Sequence, residues 1–290
     1  MNLTLGDVRH VQWGFAALLR LYSQAESCRF EDIAIDLSGT SWFDADMCAA
    51  FGALLYRLTE NLNTVSLVNI RPGVEKILSK NGFLCHYGRE QIVDCWRTTI
   101  PYQRFDVKDD RYFAGYIEEQ FIHRAEIPHM STGLLKKFRE SIFEIFSNAV
   151  LHSGTEQGIF SCGQFFPKRN RLDFAVADLG IGIPQKVREY LKRDIPAVEA
   201  IQWATLGRNT TKNGAVPGGL GLKLLQEFID LNGGSIQIVS DVGYWQRANR
   251  TTSINPLDYP FPGTVVTIEI NTADTNSYAL VSELSAADIF

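Results

Sequence analysis

The sequence predicts an α/β unit followed by an α+β layer sandwich, and three observations carry that reading. Strand-like and helix-like patterns alternate over the first part of the chain. A polar, Pro-containing stretch, Thr98–Arg111 (TTIPYQRFDVKDDR), then reads as a linker. Beyond it, a few helical patterns are mixed with consecutive β-rich segments.

Taken in order, Phe15–Leu21 has helical spacing, and Phe30–Leu37 (FEDIAIDL) is a short strand. Asp44–Asn61 is a helix with apolar Met47, Phe51, Leu54 and Leu55 on one side and an aspartate in its first turn. Thr64–Ile70 (TVSLVNI) is β-branched and strand-like. Pro72 opens a helix that ends at Asn81-Gly82. In the second half a long helix covers 134–152, and strands follow at Gly158–Phe166 and Leu172–Asp178. A Gly-rich region at 207–221 precedes a helix ending at Asn232-Gly233, and the strands SIQIVS and TVVTIEI complete the unit. The boundaries expected are therefore 1–104, 112–272 and a partly apolar tail at 273–290 that has a docking surface somewhere.

Composition narrows the function classes. The chain has 290 residues, 45% of them hydrophobic and 21% charged, enough for a sizeable core without staples. A net charge of −5 gives no global basic field, so nucleic acid is not an expected partner. The longest apolar run, Met47–Tyr56, is too short to span a bilayer, and the amino terminus lacks the basic-then-apolar plan of a signal peptide. Five scattered cysteines without a CxxC pair read as reduced packing thiols, so a cytoplasmic location away from membranes is expected.

Chemistry concentrates in the second half. The helix FRESIFEIFSNAVLHSG is apolar nearly all round, yet Glu144, Asn148 and His152 share one face at four-residue spacing. A carboxylate and an amide there must be paired, face a filled cleft or be solvated; their oxygens suit Mg²⁺ or its water. LDFAVADLGIGIP ends a buried strand in Asp178, with Gly180 and Gly182 following. Such an aspartate can accept from an exocyclic amine, although an ordinary turn also uses this pattern. In PGGLGLKLLQEFI, Gly218, Gly219 and Gly221 open a helix whose amides suit phosphate. No Walker or Rossmann glycine motif occurs. Upstream, GRNTTKNGAV supplies Arg208, Thr210, Thr211 and Lys212, suitable for a lid running from Gln185 to Val216.

Taken together, ExxxN, DxGxG about thirty residues later, a variable lid, GGLGL and a strand beginning Gly263-Thr264 resemble the GHKL ATP-binding family. That family includes gyrase-type ATPases, MutL, sensor histidine kinases and anti-sigma-factor kinases. The resemblance implies helices on one face of a mixed, mostly antiparallel sheet. It implies that Asn148 holds Mg²⁺ and that Asp178 accepts the adenine amine, with Gly180 and Gly182 beside the base. Gly218, Gly219, Leu220, Gly221 and Leu222 would serve the phosphates, Thr264 the adenine side, and His152, Thr211 and Lys212 would join the ATP contacts. Glu144 would be the general base, as in gyrase-type ATPases and anti-sigma-factor kinases.

The first unit resembles a STAS domain, the fold of anti-anti-sigma factors, through IDLSGTSWFDADMCAAFGALLYRL and VSLVNIRPGVEKILSKNGF. Two features depart from that pattern. No hairpin is evident in residues 1–30, and Ala45 stands where the family's phosphoacceptor serine would be. The expected function is thus an ATP- and Mg²⁺-dependent signalling protein, an ATPase or a serine kinase acting on a protein partner. A STAS-like or sigma-factor-type regulator, or a second copy of the chain, are the partners expected. The alternatives are a sensor-histidine-kinase-like domain, with His123 in FIHRAEIPH as the acceptor, and a non-catalytic ATP switch.

Overall fold

Both faces of the central sheet are buried, and that arrangement sets everything the site can do. The structure, a computed structural model, describes residues 1–152, 154–206 and 220–283, with backbone alone at 151, 152 and 220. The first unit is β1 (Asn2–Thr4), α1 (Gln12–Ala25), β2 (Asp32–Asp36), α2 (Cys48–Glu60), β3 (Thr64–Val68) and α3 (Pro72–Lys80). Its three strands pair in parallel in the order β1-β2-β3, as strands joined by helical crossovers do. Gly82, at φ +80°, ends α3 in the left-handed region that glycine tolerates.

The second unit contains β4 (Thr99–Phe105), α4 (Asp110–Ile117), α5 (Thr132–His152), β5 (Ile159–Phe166) and β6 (Arg171–Asp178). It continues with α6 (Gly182–Leu191), α7 (Ala197–Thr205), α8 (Leu220–Asn232), β7 (Ser235–Ala248) and β8 (Thr251–Asn271). The sheet order is β4-β5-β6-β8-β7. Every pairing in it is antiparallel, in keeping with the mostly antiparallel sandwich expected.

Three expectations change. The presumed linker contains β4, the edge strand of this sheet; an edge tolerates Pro101, and a register shift between Ile100 and Gln103 accommodates it. Residues 185–205, expected in the lid, form most of α6 and α7, and Ala200 and Ile201 are fully buried. Finally, β7 and β8 continue past the core as a long hairpin whose turn residues, Asn249 and Arg250, both have positive φ. The tail docks as far as it is described. Glu283 accepts from the Gly133 amide (2.8 Å) at the start of α5, and Tyr278 packs edge-on against Phe228.

Strand alternation divides the core in two. On β6, Leu172, Phe174 and Val176 face the helical layer with Phe138, Ile142, Phe146, Leu225 and Ile229 of α5 and α8. Ala175 and Ala177 face the opposite way, joining Phe160, Cys162, Val239 and Val265 against Phe15, Leu18, Phe51 and Leu55 of α1 and α2. The layers therefore run three-stranded sheet, α1/α2, five-stranded sheet, α5/α8.

Polar ties fix the inner junction. The Ala45 amide donates to Gln164 Oε1 (2.6 Å), and Cys162 Sγ lies 3.2 Å and 3.1 Å from the carbonyls of Ala45 and Asp46. Gln237 Nε2 donates to the His10 carbonyl (3.1 Å). The segment leading into α2 is thus buried against β5. Among the described residues no helix is long and apolar enough to cross a membrane.

Candidate nucleotide site

Asp178 closes β6 on the helical side of the sheet, continuing the alternation of Phe174 and Val176. It is 4% exposed. Its Oδ1 accepts from the Gly180 amide (2.8 Å), and the backbone of Thr264, its register partner on β8, also favours the ionised carboxylate. Burial outweighs these backbone contributions and pushes the carboxyl up to about 7. A half-satisfied acid buried at a strand end is an acceptor placed for a ligand donor.

The loop after β6 is held by one hydroxyl. Ser240 Oγ of β7 donates to the Gly263 carbonyl (2.7 Å) and accepts from the Ile183 amide (3.0 Å). Since that hydroxyl has one proton to give, Thr264 Oγ1, 3.0 Å away, donates to it. Gly182 sits there at φ +77°, and a Cβ on it would lie 2.8 Å from Ser240 Oγ. Residues of three strands and the start of α6 therefore converge on Asp178. Ser240 was not anticipated; a serine ending an apolar strand carries no signal in sequence.

The second cluster lies between α5 and α8. Glu144 is half-buried, and its Oε2 accepts from the Gly221 amide (3.0 Å) at the first turn of α8. A Cβ on Gly221 would collide with that carboxylate, so glycine permits the approach. The amide expected to serve phosphate here serves Glu144. Asn148, one turn further along α5, is exposed. Ala149, Leu222 and Ile183 pack on one core with Val176, which places both clusters along the same helical face of the sheet.

Of the other expected contacts, Thr211, Lys212, Gly218 and Gly219 lie outside the described residues, as does the lid loop 207–216. His152 and Leu220 are described only as backbone within α5 and α8.

Residues 133–274 match the family described as Histidine kinase-, DNA gyrase B-, and HSP90-like ATPase. This part of the chain is a GHKL ATPase domain. A shorter stretch, 108 residues or 37% of the chain, is 30% identical to the circadian input-output histidine kinase CikA of Synechococcus elongatus. The chain covers 13% of that relative's length. Residues 1–132 lie outside the family match, and the STAS resemblance rests on the motifs quoted above. The GHKL match begins inside α5 and takes in Glu144, Asn148, Asp178 and Thr264.

The titration of Asp178 gives this GHKL domain a measurable signature. Its folded value of about 7 lies above the ordinary 3.8, so the carboxyl is mostly protonated at pH 6 and ionised at pH 8. An ionised carboxylate accepts a hydrogen bond roughly twice as strongly as a neutral acceptor. Affinity for ATP should therefore rise by up to about tenfold from pH 6 to pH 8. Calorimetry on the parent and on Asp178→Asn separates this from titration of the phosphates, which both proteins share. An identical pH dependence in the two would remove Asp178 from the base site.

Proposed function

We infer that the chain is an ATP-operated signalling protein, whose GHKL domain transfers the terminal phosphoryl group to water or to a protein hydroxyl. The observation that carries this reading is Asp178, a buried carboxylate held by a backbone amide and turned toward the helical layer. An adenine amine supplies the donor that such a group lacks, and the Gly182 loop gives the flat approach a base requires.

The oxygens of Glu144 and Asn148, one turn apart on α5, are the hard donors Mg²⁺ takes. Asn148 would hold the ion, which when bound supplies positive charge at the phosphate oxygens. Glu144 then accepts the proton of the attacking hydroxyl. Its bond to Gly221 links that event to the start of α8.

The N-terminal unit reads as a STAS-like regulatory module that is not itself the acceptor. The place where the resemblance puts a phosphoacceptor, Ala45, is fully buried against β5 on the sheet face opposite Asp178. A phosphoacceptor hydroxyl is therefore absent at this position of the unit.

A second reading, transfer to histidine, is favoured by the likeness to a named histidine kinase. Its acceptor in this chain would be His123, whose side chain is 64% exposed and 3.0 Å from Glu118. Incubation of the full chain with γ-labelled ATP tests both readings. Free phosphate or an acid-stable phosphoprotein supports the first, and an acid-labile, alkali-stable label lost in His123→Gln supports the second. An absence of ATP binding would end both.

A further inference from the structure

The outer face of the GHKL sheet carries a buried ionic cluster that ATP binding does not use. His10 of the loop before α1, Asp46 before α2 and Asp173 of β6 each have a fully buried side chain. His10 Nδ1 lies 2.6 Å from Asp46 Oδ2 and 3.6 Å from Asp173 Oδ2. One nitrogen and two carboxylate oxygens thus fall within 4.8 Å of one another.

Two independent observations say that this cluster is incomplete. Asp46 Oδ1 and both Asp173 oxygens have no hydrogen-bond partner, although they are fully buried. Arg171 Nη2 forms an ion pair with Asp173 Oδ2 at 2.9 Å that does not reach hydrogen-bonding geometry. The charge balance also fails. Asp44, Asp46, Asp173 and Glu269 surround one guanidinium, Arg171, and one imidazole. Asp44 differs from its neighbours because its oxygens accept from the Trp42 indole (2.6 Å) and the His10 amide (2.9 Å). Carboxylate oxygens left without a hydrogen bond in a dry junction are unfavourable, and the ion pairs to His10 and Arg171 leave three of these oxygens in that condition.

The imidazole is oriented for a cation. His10 Nε2 lies 3.0 Å from Thr267 Oγ1 of β8. Nδ1 faces Asp46 Oδ2 at hydrogen-bond distance with Asp173 Oδ2 beyond it, so a cation would take the place of the proton in that bond while Nε2–H is donated to Thr267, the outer partner that ligating histidines take. A tetrahedral site with bonds of about 2.0–2.2 Å needs ligand atoms roughly 3.3 Å apart. The His10–Asp173 separation already suits that, the His10–Asp46 pair must open by less than an ångström, and the two carboxylates, whose ligand oxygens lie within 4.8 Å, must close to the same spacing.

We propose that His10, Asp46 and Asp173 bind one borderline divalent cation of the Zn²⁺ or Mn²⁺ class, which rivets the N-terminal unit to the outer face of the GHKL sheet. An imidazole ligand disfavours Mg²⁺, so this site is chemically separate from the one on α5. The inference stands on this cluster and not on the assignment of ATP.

The test uses the full chain without nucleotide. Protein purified without chelator should retain close to one equivalent of Zn²⁺ or Mn²⁺ by elemental analysis. Chelator-stripped protein should take the metal back in calorimetry, with a raised unfolding midpoint. His10→Gln and Asp173→Asn should lose that equivalent. Because either variant could fold poorly, Thr267→Val provides a milder probe: it removes only the outer partner and should weaken the metal roughly 10–100-fold. Co²⁺ loaded into the stripped parent should give the visible bands of a tetrahedral N/O site. Failure of the parent to bind Zn²⁺ or Mn²⁺ would overturn the proposal, leaving a proton as what the cluster holds. Equal binding by His10→Gln would overturn it as well.

Discussion

Glu144→Gln should retain ATP and lose turnover by roughly 10²–10⁴-fold, the contribution of a positioned general base. Glutamine is the informative replacement because Glu144 Oε2 accepts the Gly221 amide at 3.0 Å. An amide oxygen preserves that contact between α5 and α8, whereas alanine would also cut the helices' tie. Removing the negative charge relieves repulsion with the phosphates, so ATP affinity should be unchanged or higher. Single-turnover assays beside equilibrium binding separate the two effects. A variant that turns over like the parent would show that the carboxylate only anchors α8.

Asp178→Asn should weaken ATP binding by about 10–100-fold, corresponding to about 1–3 kcal/mol for a mispaired buried polar group. The same logic sets base preference. Guanine presents a carbonyl where adenine presents an amine, so the parent should disfavour GTP by a similar factor. Competition between ATP and GTP for the parent, with Asp178→Asn alongside, measures it. The Gly180 amide still has an acceptor in the variant, so the fold should hold. Equal affinity for the two nucleotides would place the base elsewhere.

The parts of this protein legible in sequence are those where one periodicity dominates. The apolar spacing of Met47, Phe51, Leu54 and Leu55 marked α2, and the β-branched run after Thr64 marked β3. Glu144 and Asp178 stood out because a carboxylate on an all-apolar helix or strand demands an explanation. β4 was illegible: an edge strand needs only one hydrogen-bonded side, so TTIPYQRF keeps Pro101 and exposed Gln103 and Arg104 and looks like a linker. The far hairpin was illegible too, since its prolines at 256, 260 and 262 suppress every strand signal. The outer cluster could not be found at all. His10, Asp46 and Asp173 are separated along the chain and meet only once the first unit lies on the sheet.

The two-sided burial of β6 also bears on how this protein can be cut. The recognisable ATPase segment spans residues 133–274, but its boundaries are those of resemblance and not of folding. Expressed alone, that segment would lack the edge strand β4 and would bare Phe160, Cys162, Ala175, Ala177 and Val265 to water. It would also strip Asp173 of His10 and Asp46. The GHKL segment is therefore expected to fold only together with the unit before it. Any other N-terminal partner would have to replace an entire wall of this domain's interior.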